Sequence, residues 1–140
     1  MKSKFIVFLG FLAIIVIMMA SCQSEEAVEF NRYYAAGSLI YRTHCQNCHG
    51  ANGEGLLGLI PPLNDGAYLK TYRAQLPCSV KYGLKGKLTI GSRLFEGQMP
   101  ANDLGPIDIA MVLTYVTNSF GNKTGIMSSN EVNVDLAKCQ

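Results

Sequence analysis

Cys45-Gln46-Asn47-Cys48-His49 reads C-x-x-C-H, the spacing used for covalent attachment of a c-type haem. Two thiols a helical turn apart can add to the two vinyl groups of one haem. The histidine beside the second thioether is then held under the iron as its proximal ligand. C-x-x-C alone also serves dithiol redox sites and zinc ribbons. A redox dithiol would need a βαβ setting, and no such pattern surrounds this run. A single C-x-x-C-H means a single haem.

Upstream of the motif the pattern is helical. Phe30, Tyr33, Tyr34, Gly37, Ile40 and Tyr41 recur at three- and four-residue steps up to Cys45. Gly37, Tyr41 and Cys45 share one helical face, where a glycine lets another helix approach closely. Downstream, residues 50–66 read as loop, with Gly50, Gly53, Gly55, Gly58 and then Pro61-Pro62. A helix is expected from about Asp65 and another over Tyr72 to Tyr82, where Pro77 marks either a break or a helix start. Leu88-Thr89-Ile90 and Leu94-Phe95, around Gly91-Ser92-Arg93, fit a small hairpin. The clearest helix opens at Pro106, carries Ile109, Val112, Leu113, Val116 and Phe120 as its apolar stripe, and is expected to stop at Gly121. Ser128-x-x-Glu131 fits a capping box ahead of a last short helix bearing Val132, Leu136 and Cys139. The fold class is therefore all-α: four or five short helices, with a possible hairpin near 88–95, around one covalent haem. An apolar haem would supply much of the core that so small a polypeptide lacks.

A six-coordinate iron needs a second axial ligand. His44 directly precedes Cys45 and is tethered too closely to reach the far face of the iron. Methionine is the usual alternative, and His/Met ligation raises the reduction potential. Met99 sits in Gly97-Gln98-Met99-Pro100, a loop between the hairpin and the long helix, and is the expected ligand. Met111 lies within that helix and reads as packing. Met127 lies in a late loop and reads as surface or gap-filling.

The 140 residues make one small domain plus an export segment. Met1-Lys2-Ser3-Lys4 is basic, and the apolar run from Phe5 to Ala20 is short for a membrane-spanning helix. Met19-Ala20-Ser21-Cys22 resembles the lipobox of bacterial lipoproteins, with methionine where leucine is commoner. On this reading residues 1–21 are a cleaved signal, Cys22 carries the lipid, 22–29 are a polar tether and 30–140 the domain. An uncleaved N-terminal anchor is the alternative; both put the domain outside the cytoplasm, facing the periplasm or cell surface. Once Cys22, Cys45 and Cys48 are assigned, Cys78 and Cys139 remain, and an oxidising compartment favours a disulfide between them. Two buried free thiols are the alternative.

With Lys2 and Lys4 removed, basic and acidic side chains balance. The distribution is uneven. No acid lies between Asp65 and Glu96, where Lys70, Arg73, Lys81, Lys85, Lys87 and Arg93 all fall. Such a stretch either steers an acidic partner or is a solvated face with scattered cations.

These pieces together resemble a class I, mitochondrial-type monohaem cytochrome c, in a bacterial membrane-anchored lipoprotein form. Gly37 through Cys45 is similar to the family's N-terminal helix, Pro61-Pro62-Leu63 to its P-x-L loop, Met99-Pro100 to its methionine loop, and Tyr115 to the aromatic that packs on the N-terminal glycine. Gly83-x-x-Gly86, Gly97 through Ala101, Ile109-Ala110 and Thr114 through Asn122 resemble bacterial monohaem members. The resemblance implies that the Pro61 carbonyl accepts a hydrogen bond from His49 Nδ1 and that Leu63 packs on the haem. Cys78 and Cys139 depart from the general pattern.

The function this implies is one-electron transfer by a covalent haem c with His49 and Met99 as axial ligands, shuttling between membrane-associated redox proteins. That is a carrier and not an enzyme, with no small-molecule substrate. The alternatives are a fixed electron-transfer subunit of a larger dehydrogenase, reductase or oxidase, and a haem-based ligand sensor. Nothing in the chain resembles an acid/base pair, a phosphate loop or a nucleic-acid surface.

Overall fold

The computed structural model describes residues 2–20 and 24–139. Cys22, the expected lipid acceptor, lies outside the described residues. Helix α1 spans Lys2–Ala20, and its apolar side chains from Ile6 to Ile14 are exposed. Among the described residues no helix is long and apolar enough to cross a membrane.

Helix α2 spans Glu25–His44 and starts earlier than its apolar periodicity predicts. The reason is local. Ser24 caps it by accepting a hydrogen bond from the Ala27 N–H at 3.3 Å, and Glu25 and Glu26 fall in the first turn, where acids favour the helix dipole. Residues 25–29, read as tether, are thus helical. After a kink at Cys45 comes the single turn α3, Gln46–His49.

Helix α6, Pro106–Val116, crosses α2 and contributes the most deeply buried side chains, among them Ile109, Val112 and Leu113. The crossing is close because a Cβ at Gly37 would collide with the Met111 carbonyl. Around it Tyr115 packs at a tilt 5.1 Å from Tyr34 and 5.3 Å from Tyr41, and Phe120 5.4 Å from Tyr41. These ring pairs add to plain burial.

The sequence places the end of α6 at Gly121, yet it ends at Val116. Thr117 Oγ1 donates to the Leu113 carbonyl at 2.7 Å and Asn118 Nδ2 to Thr114 O at 2.8 Å, so side chains satisfy the last turn early. Phe120 then takes a positive φ of 56° and folds back onto the crossing instead of extending the stripe. Met127, read as surface or gap-filling, is fully buried. Its backbone N–H donates to Thr114 Oγ1 at 3.0 Å, which pulls the late loop under α6.

The remaining elements close the far side. Helix α4 spans Gly66–Thr71, capped by Asp65 accepting from the Tyr68 N–H at 2.9 Å. A 3-10 turn, Arg73–Gln75, leads into α5, Leu76–Tyr82, with Pro77 in its first turn, so the proline marks a start. Strands β1, Leu88–Ile90, and β2, Arg93–Phe95, pair antiparallel with Leu88 opposite Phe95 and Ile90 opposite Arg93. Helix α7 spans Ser129–Leu136. Ser128 caps it by accepting from the Glu131 N–H at 3.2 Å. The Glu131 carboxylate goes to Arg73 instead, with Nε at 2.7 Å and Nη2 at 3.1 Å. Arg73 Nη2 also donates to Ile126 O at 2.8 Å, which ties the C-terminal segment to the 3-10 turn. Cys78 of α5 and Cys139, beyond α7, are joined by a disulfide with their Cα atoms 5.7 Å apart.

Candidate haem cleft

Two cavities run through the domain and share His49, Pro61, Leu84, Leu88 and Met99 in their walls. The inner one holds about 750 Å³ of empty space and reaches Cys45, Leu63, Leu76, Val80 and Val112. The outer one holds about 530 Å³ and reaches Cys48, Leu59 and Phe95. Together they form one solvent-open cleft with predominantly apolar walls and a few polar groups, the composition of cofactor sites.

Local folding sets the motif. The His49 N–H donates to Cys45 O at 2.9 Å and the Cys48 N–H to the same oxygen at 3.1 Å, so one helical turn separates the two sulfurs. Both thiols are free. Burial, and secondarily Cys48, pushes the Cys45 thiol up to about 11 and keeps it protonated. His49 Nδ1 lies 3.2 Å from Pro61 O. A carbonyl only accepts, so Nδ1 carries the proton and Nε2 keeps the lone pair. Burial holds the His49 pKa below its ordinary value, against the opposing pull of the Pro61 bond.

Pro61 itself is positioned from two sides. The Leu63 N–H donates to Gly53 O at 2.8 Å. Asn122 Nδ2 donates to Leu63 O at 2.7 Å and reaches Val116 O at 3.3 Å, pinning the proline loop to the end of α6. Tyr41 Oη donates to Gly50 O at 2.7 Å, fixing the residue after His49. Burial raises the Tyr41 pKa.

Met99 is held by its backbone. It pairs with Leu84 in an antiparallel bridge, N–H to O at 3.0 Å in both directions. Two residues earlier, a Cβ at Gly97 would strike the Leu59 carbonyl, so glycine is needed for the methionine loop to lie on the proline loop.

The structure therefore brings Cys45, Cys48, His49, Pro61, Leu63 and Met99 to one cleft. Tyr41, Leu84, Gly97 and Asn122 are support residues to which the sequence assigns no such role. Only the i, i+4 step from Tyr41 to Cys45 hints at one of them. An apolar cleft bounded by two free thiols, an imidazole with one nitrogen committed and a thioether suits an apolar metal macrocycle joined by thioethers. The one carboxylate in the inner wall, Asp65, is occupied capping α4.

Ion pairing thins the basic stretch. Arg73 pairs with Glu131, Lys81 with Asp103 at 3.4 Å and Lys87 with Glu96 at 3.1 Å. Lys70, Lys85 and Arg93 have no ion-pair partner among the described residues.

The family profile for cytochrome c matches residues 34–119. Two cytochrome c-552 sequences of Thermus thermophilus are each 30% identical to this chain over 98 residues. The aligned part is 63% of this chain, 70% of one relative and 62% of the other.

Proposed function

The chain belongs to the cytochrome c family, and we propose that it is a one-electron carrier in which His49 and Met99 are the two axial ligands. Proteins of this family hold haem c covalently through cysteines and carry electrons on it. Bound haem supplies the redox centre, its iron cycling between Fe(III) and Fe(II). Cys45 and Cys48 are the attachment points. The Pro61 carbonyl holds the His49 ring and raises the basicity of Nε2. The Leu84 bridge restrains Met99 through its backbone while it stays closed, which would limit rearrangement on electron transfer. Leu63 and the apolar wall exclude water, which with a thioether ligand favours a high potential.

The observation that supports this most is that His49 and Met99 border both cavities of a cleft that also reaches Cys45 and Cys48. Absorption spectra of the purified protein test it. A low-spin haem with a methionine–Fe(III) charge-transfer band, silent to carbon monoxide, is expected. Met99→Ala should keep the haem, lower the potential and admit carbon monoxide. An unchanged potential in that variant would move the ligand elsewhere.

The same reading takes residues 1–21 as an export signal, Cys22 as the lipid-bearing residue, 22–29 as the link and 30–140 as the domain. Cytochrome c domains are usually exported. Mass measurement of the N-terminal peptide should find acyl chains on Cys22, and Cys22→Ser should release the protein from the membrane fraction. The partner is a redox protein with an acidic face opposite the stretch from Lys70 to Arg93, of which Lys70, Lys85 and Arg93 remain free to meet it.

A further inference from the structure

The turn after α6 closes on the proline loop, and it is strained. Phe120 and Gly121 both take positive φ, 56° and 90°. For a phenylalanine that conformation costs free energy. It lays the Phe120 ring on Gly53, where a Cβ would strike the ring, and it brings Asn122 against Leu63. Gly53 and Leu63 are the two ends of one loop, joined by the Leu63 N–H donating to Gly53 O at 2.8 Å. Pro61 lies on that loop, just before its closure. The turn therefore grips the loop at both of its ends.

Asn122 is committed more deeply than a loop clamp requires. It is only 8% exposed. Carbonyls only accept, so its Nδ2 faces Leu63 O and Val116 O, and both amide protons are engaged. Its Oδ1 is then buried with no donor among the described residues. That oxygen lies against Gly66, where a Cβ would come to 3.0 Å. An orphaned buried acceptor destabilises a fold. A leucine of similar size would avoid the orphan but leave Leu63 O without this donor. Strain at Phe120 and an unpaired oxygen at Asn122, kept side by side next to a ligand loop, point to use.

We propose that Asn122 is a positioning residue for the proximal ligand: by holding Leu63 O it keeps the Pro61 carbonyl on His49 Nδ1, and so sets the reduction potential of the bound haem. This rests on the electron-carrier reading. The path is short. Asn122 Nδ2 meets Leu63 O at 2.7 Å, and Pro61 O lies 3.2 Å from His49 Nδ1. Pro61 and Pro62 have fixed φ, so a shift of Leu63 is carried to Pro61 and not absorbed on the way. A bond from Nδ1–H to a carbonyl makes Nε2 the stronger donor to iron. A stronger donor favours Fe(III) and lowers the potential. Releasing Leu63 weakens that bond and raises the potential.

Asn122→Leu in the haem-loaded full chain tests this, read by the midpoint potential and by NMR exchange of the His49 Nδ1 proton. Thr114→Val is the control. It removes a buried hydrogen bond from α6 to Met127 and lies outside the cleft walls. Asn122→Leu should raise the potential and speed Nδ1 proton exchange about tenfold. Thr114→Val should lose stability and move neither. A second measurement needs no substitution. In the wild-type protein the His49 Nδ1 proton should be no better protected than the Asn122 Nδ2 protons, because one opening releases both. Wild-type potential and exchange in Asn122→Leu would overturn the proposal, as would a fall in potential or equal shifts in both variants. If Asn122→Leu does not fold, a Nδ1 proton that stays protected while the Nδ2 protons exchange overturns it. A wild-type haem that ascorbate and ferricyanide cannot cycle between Fe(II) and Fe(III) would sink the carrier reading, and this proposal with it. Unmoved His49 readouts in a chain that does cycle sink the proposal alone.

Discussion

The wall that carries His49 and the wall that carries Met99 are built from different physics. On the first, α2 and α6 interlock where Gly37 lies against the Met111 carbonyl and through the Tyr34, Tyr41, Tyr115 and Phe120 rings. One helical turn then sets the spacing of Cys45, Cys48 and His49. On the second, no long helix is present. Met99 is placed by paired backbone hydrogen bonds to Leu84 and by the contact of Gly97 with Leu59. A side chain on a rigid wall and one on a releasable wall thus share a cleft. Packed helices open only with the whole fold, whereas a bridge of two hydrogen bonds can open alone.

The largest effect should come from the disulfide, because the loop it closes contains Leu84, Gly97, Met99 and α6. Its partners are 61 residues apart, and removing both with Cys78→Ser and Cys139→Ser should cost about 4 kcal/mol in guanidinium unfolding. A loss well under 1 kcal/mol would mean that the Arg73–Glu131 tie already restrains that segment. Next, Gly37→Ala drives a methyl into the Met111 carbonyl and should cost about 3 kcal/mol. If that variant unfolds like wild type, the helix crossing has slack and the contrast between the walls collapses.

Tyr41→Phe is a smaller probe of the first wall. Losing the bond to Gly50 O should cost about 1 kcal/mol at neutral pH. Its pH profile carries a sign. A buried tyrosine with a raised pKa keeps its proton when folded after the unfolded chain has begun to lose its own. Its contribution is therefore complete below pH about 10 and fades as pH rises beyond that. The phenylalanine variant should lose less stability than wild type between neutral and alkaline pH. The finest test needs no substitution. Amide exchange at Leu84 and Met99 should proceed through openings of lower free energy than at Leu113 and Thr117. Equal protection would merge the two walls into one cooperative unit.

This difference also explains what the sequence makes legible. The first wall declares itself in periodicity and in a five-residue motif, so Gly37, Tyr41, Cys45, Cys48 and His49 can all be found by spacing. Met99 stands out because one methionine sits in a loop beside Pro100. Leu84 and Leu59 do not, since backbone pairing between distant loop residues leaves no pattern in side-chain type. The start of α2 is hidden by Glu25 and Glu26, polar residues that look like a linker but suit a first turn. The end of α6 is hidden because Phe120 continues the apolar rhythm after Thr117 and Asn118 have closed the helix. The basic stretch looks like one patch only because Glu96, Asp103 and Glu131 are distant in sequence from Lys87, Lys81 and Arg73.

The half-buried thiol of Cys45 has a consequence for the chemistry of the other cysteines. Of the pairings open to the four cysteines of the domain, only the one between Cys78 and Cys139 leaves Cys45 and Cys48 both free. Thiolates, not thiols, attack disulfides. In the folded chain burial pushes the Cys45 thiol up to about 11, so little thiolate is present there to enter exchange. Cys78 and Cys139 are bridged where the chain beyond α7 meets α5. The fold thus keeps two pairs of sulfurs apart, Cys78 and Cys139 closed on each other and Cys45 and Cys48 left free.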